Sequence, residues 1–170
     1  AKGDTQRITI SVTVTDGSGD TDTKDLVITL TGTNDAPVLD QIQAQSATED
    51  GNLVAGTITA TDVDAHETST YTAATIDGFA LNPDGSYTFD PSHSAYQHLA
   101  VGQDQTVTIP ITVTDQDGGT DTQNLLITVH GKDDAAVVTG TDTGAVTEGD
   151  VGDTTVITGN LSISDVDQGQ

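Results

Sequence analysis

The chain has 170 residues, with four Lys and Arg against 27 Asp and Glu, a formal net charge of −23, and no cysteine. That charge repels phosphate backbones and anionic lipid, which excludes nucleic acid and membrane surfaces as partners, while the lack of cysteine excludes a disulfide scaffold. No apolar run is long enough to span a membrane, and no signal-peptide pattern stands at Ala1. We expect either a targeting signal outside this chain or export by a route that leaves no N-terminal mark.

The acids are strongly biased toward aspartate, since only Glu49, Glu67 and Glu148 are glutamates. A chain made acidic by solvated helices would use glutamate, the better helix former. Aspartate instead belongs to turns, caps and oxygen-ligand sites, and the abundant threonine favours strands. The composition therefore predicts an all-β protein with small cores of valine, isoleucine and leucine.

Period-2 alternation predicts the strands in chain order. The expected strands of the central region lie at 37–44, 53–58, 69–76, 78–81, 86–89, 107–114 and 125–129, with at most one helical turn near 93–99. The second is expected to end at Asp62, and Pro110 indicates an edge position or a bulge within an otherwise strong strand. About seven strands in about 99 residues, with frequent turns, are typical of an immunoglobulin-like sandwich.

The chain repeats itself. Residues 12–39 align without a gap on residues 111–138 at an offset of 99, with 15 of 28 positions identical. The same offset carries Thr48-Glu49 onto Thr147-Glu148, and an offset of 103 carries Asp62-Val63-Asp64 onto Asp165-Val166-Asp167. Self-similarity at a fixed period indicates a tandem array. We expect 1–34 to be the C-terminal part of one repeat, 35–133 a complete repeat, and 134–170 the N-terminal part of the next.

Acidic clusters recur at matching positions of the repeats: Asn34-Asp35 with Asp133-Asp134, Thr48-Glu49 with Thr147-Glu148, Asp62-Val63-Asp64 with Asp165-Val166-Asp167, and Asp16 with Asp115. Strand alternation is expected to send Asp62 and Asp64 to one side, where two close carboxylates repel unless a cation bridges them. Ca²⁺ takes six to eight such hard oxygens. Asp and Gly also simply make turns. The stretch after Asp115 does not match an EF-hand, because Thr120 and Leu126 replace its glycine and glutamate.

Several motifs in order resemble VCBS repeats, the cadherin-like β-sandwiches that occur in tandem in giant bacterial surface adhesins, including RTX adhesins. They are G-T-N-D-A-P-V (32–38), T-E-D-G (48–51), T-D-V-D (61–64), D-G-S-Y-T-F (84–89) and T-V-T-D-Q-D-G-G-T-D-T (112–122). The resemblance covers essentially the whole chain and implies tandem Greek-key β-sandwiches.

Cadherin-like domains bind calcium between successive repeats, so the resemblance implies Ca²⁺ at two junctions. The first would use Asn34, Asp35, Asp62, Asp64 and Asp115. The second would use Asp133, Asp134, Asp165 and Asp167, with Glu49 facing it from the base of the complete repeat. Two departures are that Ala136 replaces the proline of N-D-A-P and that the cadherin L-D-R-E motif is absent. The roles of Asp104, Asp117 and Asp121 stay open.

The leading functional hypothesis is a calcium-stiffened extender of an extracellular bacterial adhesin or filament, which contacts its neighbouring repeats through calcium and spaces a distal binding domain from the cell. Lateral self-association of chains is left open. The alternative is a calcium-dependent adhesive module that binds glycan or protein directly. Catalysis is disfavoured, because Asp62 and Asp64 do not face each other across a cleft and the histidines have no nucleophile beside them.

Overall fold

Every secondary-structure element in the described part of the protein is a β-strand. The computed structural model describes residues 1–64, 68–141, 143–147, 149, 151–152, 157–167 and 169. Within these residues no helix has the length and apolarity needed to cross a membrane.

Residues 35–133 fold into two sheets packed face to face. The first sheet has the order β4-β11-β10-β7, and the second has the order β5-β9-β8 beside the short pair β3–β6. The strand bounds are β3 Val38–Leu39, β4 Gln45–Thr48, β5 Val54–Thr57, β6 Ala60–Thr61, β7 Thr70–Ala73, β8 Phe79–Leu81, β9 Ser86–Phe89, β10 Asp104–Thr114 and β11 Thr120–His130. The predicted all-β sandwich is confirmed.

Two predicted strands are each divided in the structure. The strand expected at 37–44 is β3 and β4, because the chain leaves β6 after Leu39 and joins β11 in the opposite sheet from Gln45. The strand expected to begin at Leu53 and to be ended by Asp62 is likewise divided into β5 and β6. Nine segments in the described part of the repeat therefore correspond to seven strands, which agrees with the number expected.

The β10–β11 hairpin forms one wall of the core, as its alternation predicts. Val107, Ile109, Ile111 and Val113 are 0 to 9% exposed, and the threonines between them lie on the outer face. Leu125, Ile127 and Val129 of β11 are fully buried opposite them, together with Phe89 of β9. Burial of this kind contributes about 1.5–3 kcal/mol for each large aliphatic side chain.

Pro110 lies at the point where the pairing of β10 changes. The strand pairs with β11 along its whole length, but its pairing with β7 covers only Ile111 to Thr114. Proline has no N–H for a ladder bond, so it is tolerated directly beside the end of β7. Pro110 itself has no paired residue on the β7 side, so the predicted edge position holds at this one residue.

The predicted helical turn near 93–99 is a series of turns in which Tyr96 N donates to His93 O and Leu99 N donates to Tyr96 O.

The hairpin of β1 (Thr5–Thr15) and β2 (Thr21–Thr31) has the same length and alternation as β10–β11. Its apolar face is nevertheless open: Ile8, Ile10, Val12 and Val14 are 39 to 66% exposed. At the other end of the chain, β12 (Val137–Gly140) pairs with β13 (Leu161–Ser164), which is also exposed.

Candidate metal centres at the repeat junctions

The first linker is held to the complete repeat through the bend at Asp62 to Asp64. The Asp35 N–H donates to Asp64 Oδ2 at 2.9 Å, and the Asp64 N–H donates to Asp62 Oδ1 at 2.8 Å. The expected strand alternation is wrong here, because β6 ends at Thr61 and the Asp62 side chain bonds its own backbone two residues on, which makes a turn. Val63 at the tip of the turn is 82% exposed, while Asp64 is buried.

The loop between β10 and β11 forms the opposite wall of the first junction. Asp115, only 6% exposed, accepts the N–H groups of Asp117 and Gly119 at Oδ1 and the Asn34 side-chain amide at Oδ2, the last at 2.9 Å. Gly119 packs so closely that a Cβ there would lie 3.0 Å from the Ala36 Cα. The linker, the loop and the bend thus meet, as predicted.

Two oxygens at this junction are buried without a partner among the described residues: Asn34 Oδ1 and Asp62 Oδ2. The Asp35 N–H holds the pKa of Asp64 below its ordinary value, opposed by burial. The Asn34 amide and the loop N–H groups do the same for Asp115. Both carboxylates are therefore ionised at neutral pH.

The second junction repeats the two hydrogen bonds of the first. The Asp134 N–H donates to Asp167 Oδ2 at 3.0 Å, and the Asp167 N–H donates to Asp165 Oδ1 at 3.0 Å. Glu49, 1% exposed, joins them from the end of β4, where its Oε2 accepts the Lys132 N–H at 3.4 Å. The repeat alignment therefore located residues that have the same local geometry.

The second junction brings several carboxylates close together with few hydrogen-bond donors to stabilise their negative charge. Glu49 Oε1, Asp134 Oδ2 and Asp167 Oδ1 are buried without partners among the described residues. Burial raises the pKa of Glu49 above its ordinary value, opposed by the Lys132 N–H, and the charges of Asp134 and Asp167 add to the rise. Burial, with the charges of Asp50 and Asp167, also raises the pKa of Asp134. A bound cation would stabilise the ionised forms of Glu49 and Asp134 and so lower both pKa values.

The two junctions account for five of the six buried side-chain polar atoms that lack a hydrogen-bond partner in the described residues; the sixth is Gln97 Nε2. All five are oxygens, the atom type that calcium takes. No group of three or more His, Asp or Glu side chains in the described ranges is already arranged around a metal position. A bound ion would therefore have to draw on amide, backbone and water oxygens as well.

Asp133 is exposed and its side chain makes no hydrogen bond to any described residue. Glu148, the counterpart of Glu49, lies outside the described residues. Two features were missed from the sequence. Lys132 Nζ lies 3.6 Å from Asp50 Oδ2, and Asp50 has a left-handed backbone with φ of 58°. The glycine at 149, which aligns with Asp50, was an available signal for that conformation.

The three aspartates whose roles the sequence left open have separate partners. Asp121 Oδ2 accepts the Leu39 N–H at 2.8 Å and so fastens β3 to β11. Asp104 contacts the His130 ring at 2.7 Å, across the β10–β11 pair. Asp117 pairs with Lys2 at 3.0 Å. Asp121 and Asp104 therefore hold strands, and Asp117 lies at the rim of the first junction.

A two-sheet sandwich of seven strands, with acidic linkers at both ends, defines a cadherin-like repeat. A family model described as "Bacterial cadherin-like domain" matches residues 34–131, more than half of the chain. The chain belongs to this family. Cadherin-like domains are extracellular adhesion or extender modules. No curated protein sequence matches the chain.

A solved structure of cadherin domains shows the same fold. Extracellular cadherin domains 1–4 of protocadherin gamma B7 superpose with a TM-score of 0.58 at 20% identity, over 97% of this chain and 41% of that one. Domains EC1–4 of Drosophila N-cadherin give a TM-score of 0.48 at 15% identity, over 81% of this chain and 36% of that one. The present chain spans less than half the length of either.

Proposed function

We propose that this protein is a calcium-stiffened extender segment of a bacterial surface adhesin of the VCBS type. The observation that supports the proposal best is the grouping of five unpartnered buried oxygens at the two linkers. Buried polar atoms normally have a partner, and each one without a partner costs about 1–3 kcal/mol. A cation at each linker supplies what these oxygens lack.

The ligands proposed for the first junction are Asn34, Asp35, Asp62, Asp64 and Asp115. Those proposed for the second are Glu49, Asp133, Asp134, Asp165 and Asp167. When bound, Ca²⁺ supplies the positive charge that lets these carboxylates stay close together. Without it their repulsion favours separation of the walls, and the linker bends. Calcium sites in extracellular modules bind at roughly 0.1–1 mM, which suits a segment that stiffens outside the cell.

The tandem arrangement is part of the same proposal. The apolar face of β1–β2 is exposed, while the matching face of β10–β11 is covered by β5, β8 and β9 in the complete repeat. We therefore assign 1–34 and 134–170 to repeats that neighbour the complete repeat, 35–133. A long array of stiff repeats holds a binding domain at a distance from the cell.

The test compares the 170-residue chain with calcium and with a chelator. Calcium should raise the melting temperature and increase the maximum dimension measured by small-angle X-ray scattering. The double substitution Asp62→Asn and Asp64→Asn should remove most of the response of the first junction. Asp22→Asn with Asp25→Asn, on an exposed hairpin, is the charge-matched control and should leave the response intact. A chain whose melting temperature and dimension ignore calcium would refute the proposal.

A further inference from the structure

A small cleft lies on the side of the complete repeat, away from both junctions. It has a volume of about 260 Å³ and is lined by Asp40, Gln41, Ile42, Gln43, Gln45, Ala55, Gly56, Thr57, Ile58, Thr59 and Tyr87. The cleft exists because the chain changes sheets between β3 and β4. The last bond on the β6 side is the Asp40 N–H to Thr59 O at 2.9 Å, after which residues 41–44 turn away from β5.

The lining of the cleft is polar and almost uncharged. Gln41, Gln43 and Gln45 offer side-chain amides, each of which can both donate and accept, and the Gln45 amide bonds Gln43 O at 3.2 Å. Hydroxyl groups come from Thr57, Thr59 and Tyr87. The one charged lining residue, Asp40, is already engaged by the Thr59 hydroxyl at 2.5 Å. No lysine or arginine lines the cleft, so nothing in it would attract an anion.

Tyr87 gives the cleft a polar group with no protein partner. The residue is only 6% exposed, and its hydroxyl makes no hydrogen bond to any described residue. The ring of Tyr87 covers Gly56, its cross-strand neighbour, so closely that a Cβ at Gly56 would lie 2.7 Å from Oη. Because Gly56 also lines the cleft, the hydroxyl lies at the cleft wall. A hydroxyl at the wall of an open cleft can both donate to and accept from a bound molecule.

We propose that this cleft binds one neutral monosaccharide unit of a glycan. Amides and hydroxyls that both donate and accept match a ring of hydroxyl groups, each of which also does both. The volume is below the roughly 300–1,000 Å³ typical of pockets for drug-sized ligands, which suits one sugar ring rather than an extended chain. The net charge of −23 disfavours acidic sugars.

The cleft and the calcium junctions are separate, so this site does not depend on the proposed extender role. The next repeat differs at this segment. The residues that align with 40–45 are T-G-T-D-T-G at 139–144, which replace all three glutamines. An extender array with such a site in one repeat would contact glycans along its shaft as well as at its end.

The direct test is a titration of the ¹⁵N-labelled 170-residue chain with neutral monosaccharides (glucose, galactose, mannose, fucose and N-acetylglucosamine) and with glucuronate. We expect at least one neutral sugar to produce saturable shifts of the side-chain amide signals of Gln41, Gln43 and Gln45. The expected Kd is about 1 mM or weaker, since few groups make contact. The shifts should persist in chelator, while glucuronate should produce none.

Tyr87→Phe removes only the hydroxyl and should weaken binding roughly three- to tenfold, the effect of one lost hydrogen bond. Gln43→Ala, at an exposed position, should weaken it similarly without loss of the fold. Gln6→Ala, on the exposed face of β1, is the matched control and should bind as the parent does. The proposal is wrong if no neutral sugar saturates these signals at about 50 mM, far above that Kd. It is equally wrong if Tyr87→Phe and Gln43→Ala bind like Gln6→Ala.

Discussion

The side-chain amide of Asn34 donates to Asp115 Oδ2 at 2.9 Å, and this bond fastens the first linker to the β10–β11 loop. It orients the Asn34 side chain so that its oxygen is buried with no partner among the described residues. Asp115 thus acts in two ways: its own loop N–H groups fix the carboxylate, and the carboxylate in turn orients Asn34. The proposed first junction is therefore pre-organised on the loop side.

The first prediction concerns Gly119. Substitution to alanine would place a Cβ 2.4 Å from Asp115 Oδ2 and 3.0 Å from the Ala36 Cα. The linker must then shift, and overpacking of this kind costs about 1–3 kcal/mol. Urea unfolding should show that loss, and the calcium response of the first junction should weaken. Gly17→Ala, which would meet no atom within 4 Å, is the control and should change neither.

The second prediction distinguishes an aspartate that connects two strands from the aspartates that are proposed to bind metal. Asp121→Ala removes the acceptor of the Leu39 N–H, so we expect a loss of about 1–3 kcal/mol in unfolding free energy. The calcium-induced rise in melting temperature should stay as large as in the parent. Asp77→Ala is a control, since its carboxylate accepts no hydrogen bond from a described residue. A calcium response lost with Asp121→Ala would instead place Asp121 among the ligands.

The third prediction uses two isoleucines at matching positions of the repeat. Ile109 is fully buried, whereas Ile10, 99 residues earlier, is 44% exposed. Ile109→Ala should cost about 2–5 kcal/mol of unfolding free energy, as buried isoleucine truncations do. Ile10→Ala in the same chain should change it by less than about 0.5 kcal/mol, as exposed substitutions usually do.

The same pair tests the assignment of residues 1–34 to a neighbouring repeat. In a longer chain that supplies the rest of that repeat, Ile10 should be covered as Ile109 is covered here. Ile10→Ala should then cost as much as Ile109→Ala in equilibrium unfolding. A small effect in the longer chain would show that the β1–β2 face has no such covering.

The fourth prediction is a pH dependence at the second junction. Because the folded pKa of Glu49 is raised, protonation stabilises the folded state, and that stability is present at low pH and lost as pH rises through the folded pKa. In chelator, unfolding free energy should therefore increase as pH falls from neutrality toward the ordinary carboxyl range. Glu49→Gln should make this dependence less steep, and the remainder should come from Asp134, whose pKa is also raised.

The opposite sign holds at the first junction. Asp64 and Asp115 have lowered pKa values, so the stability that they contribute is present above the ordinary value and is lost as pH falls through the folded pKa. Asp64→Asn should reduce the loss of unfolding free energy at strongly acid pH and leave the dependence near neutrality unchanged. A dependence that Glu49→Gln leaves as steep as in the parent would contradict the contribution assigned to Glu49.

Most of the sandwich could be predicted from the sequence because strand alternation and an internal repeat carry the same information. The β10–β11 hairpin follows from its apolar residues, and the matching bonds of Asp35 and Asp134 follow from the repeat alignment. Periodicity could not show where a strand changes sheets. The division of 37–44 into β3 and β4 depends on which neighbour each half pairs with, and alternation is the same in both.

The site was harder to predict than the fold. The presence of an aspartate in a sequence does not show whether its side chain stabilises a turn, connects two strands or binds an ion. Asp121 and Asp115 lie six residues apart in one hairpin, yet Asp121 bonds a strand and Asp115 bonds the linker. No sequence motif predicts the cleft at Tyr87, because it forms where the chain passes from one sheet to the other and where a glycine faces an aromatic ring.

The parallel pairing of β4 with β11 has a mechanical consequence. Gln45 to Thr48 run alongside Ile127 to His130, so the strand that follows β3 after the first linker lies beside the strand that leads directly into the second. A pull on the two linkers draws these strands past each other along their length. All the bonds between them then bear the load together, instead of opening one at a time. Such a repeat resists tension applied through its two linkers.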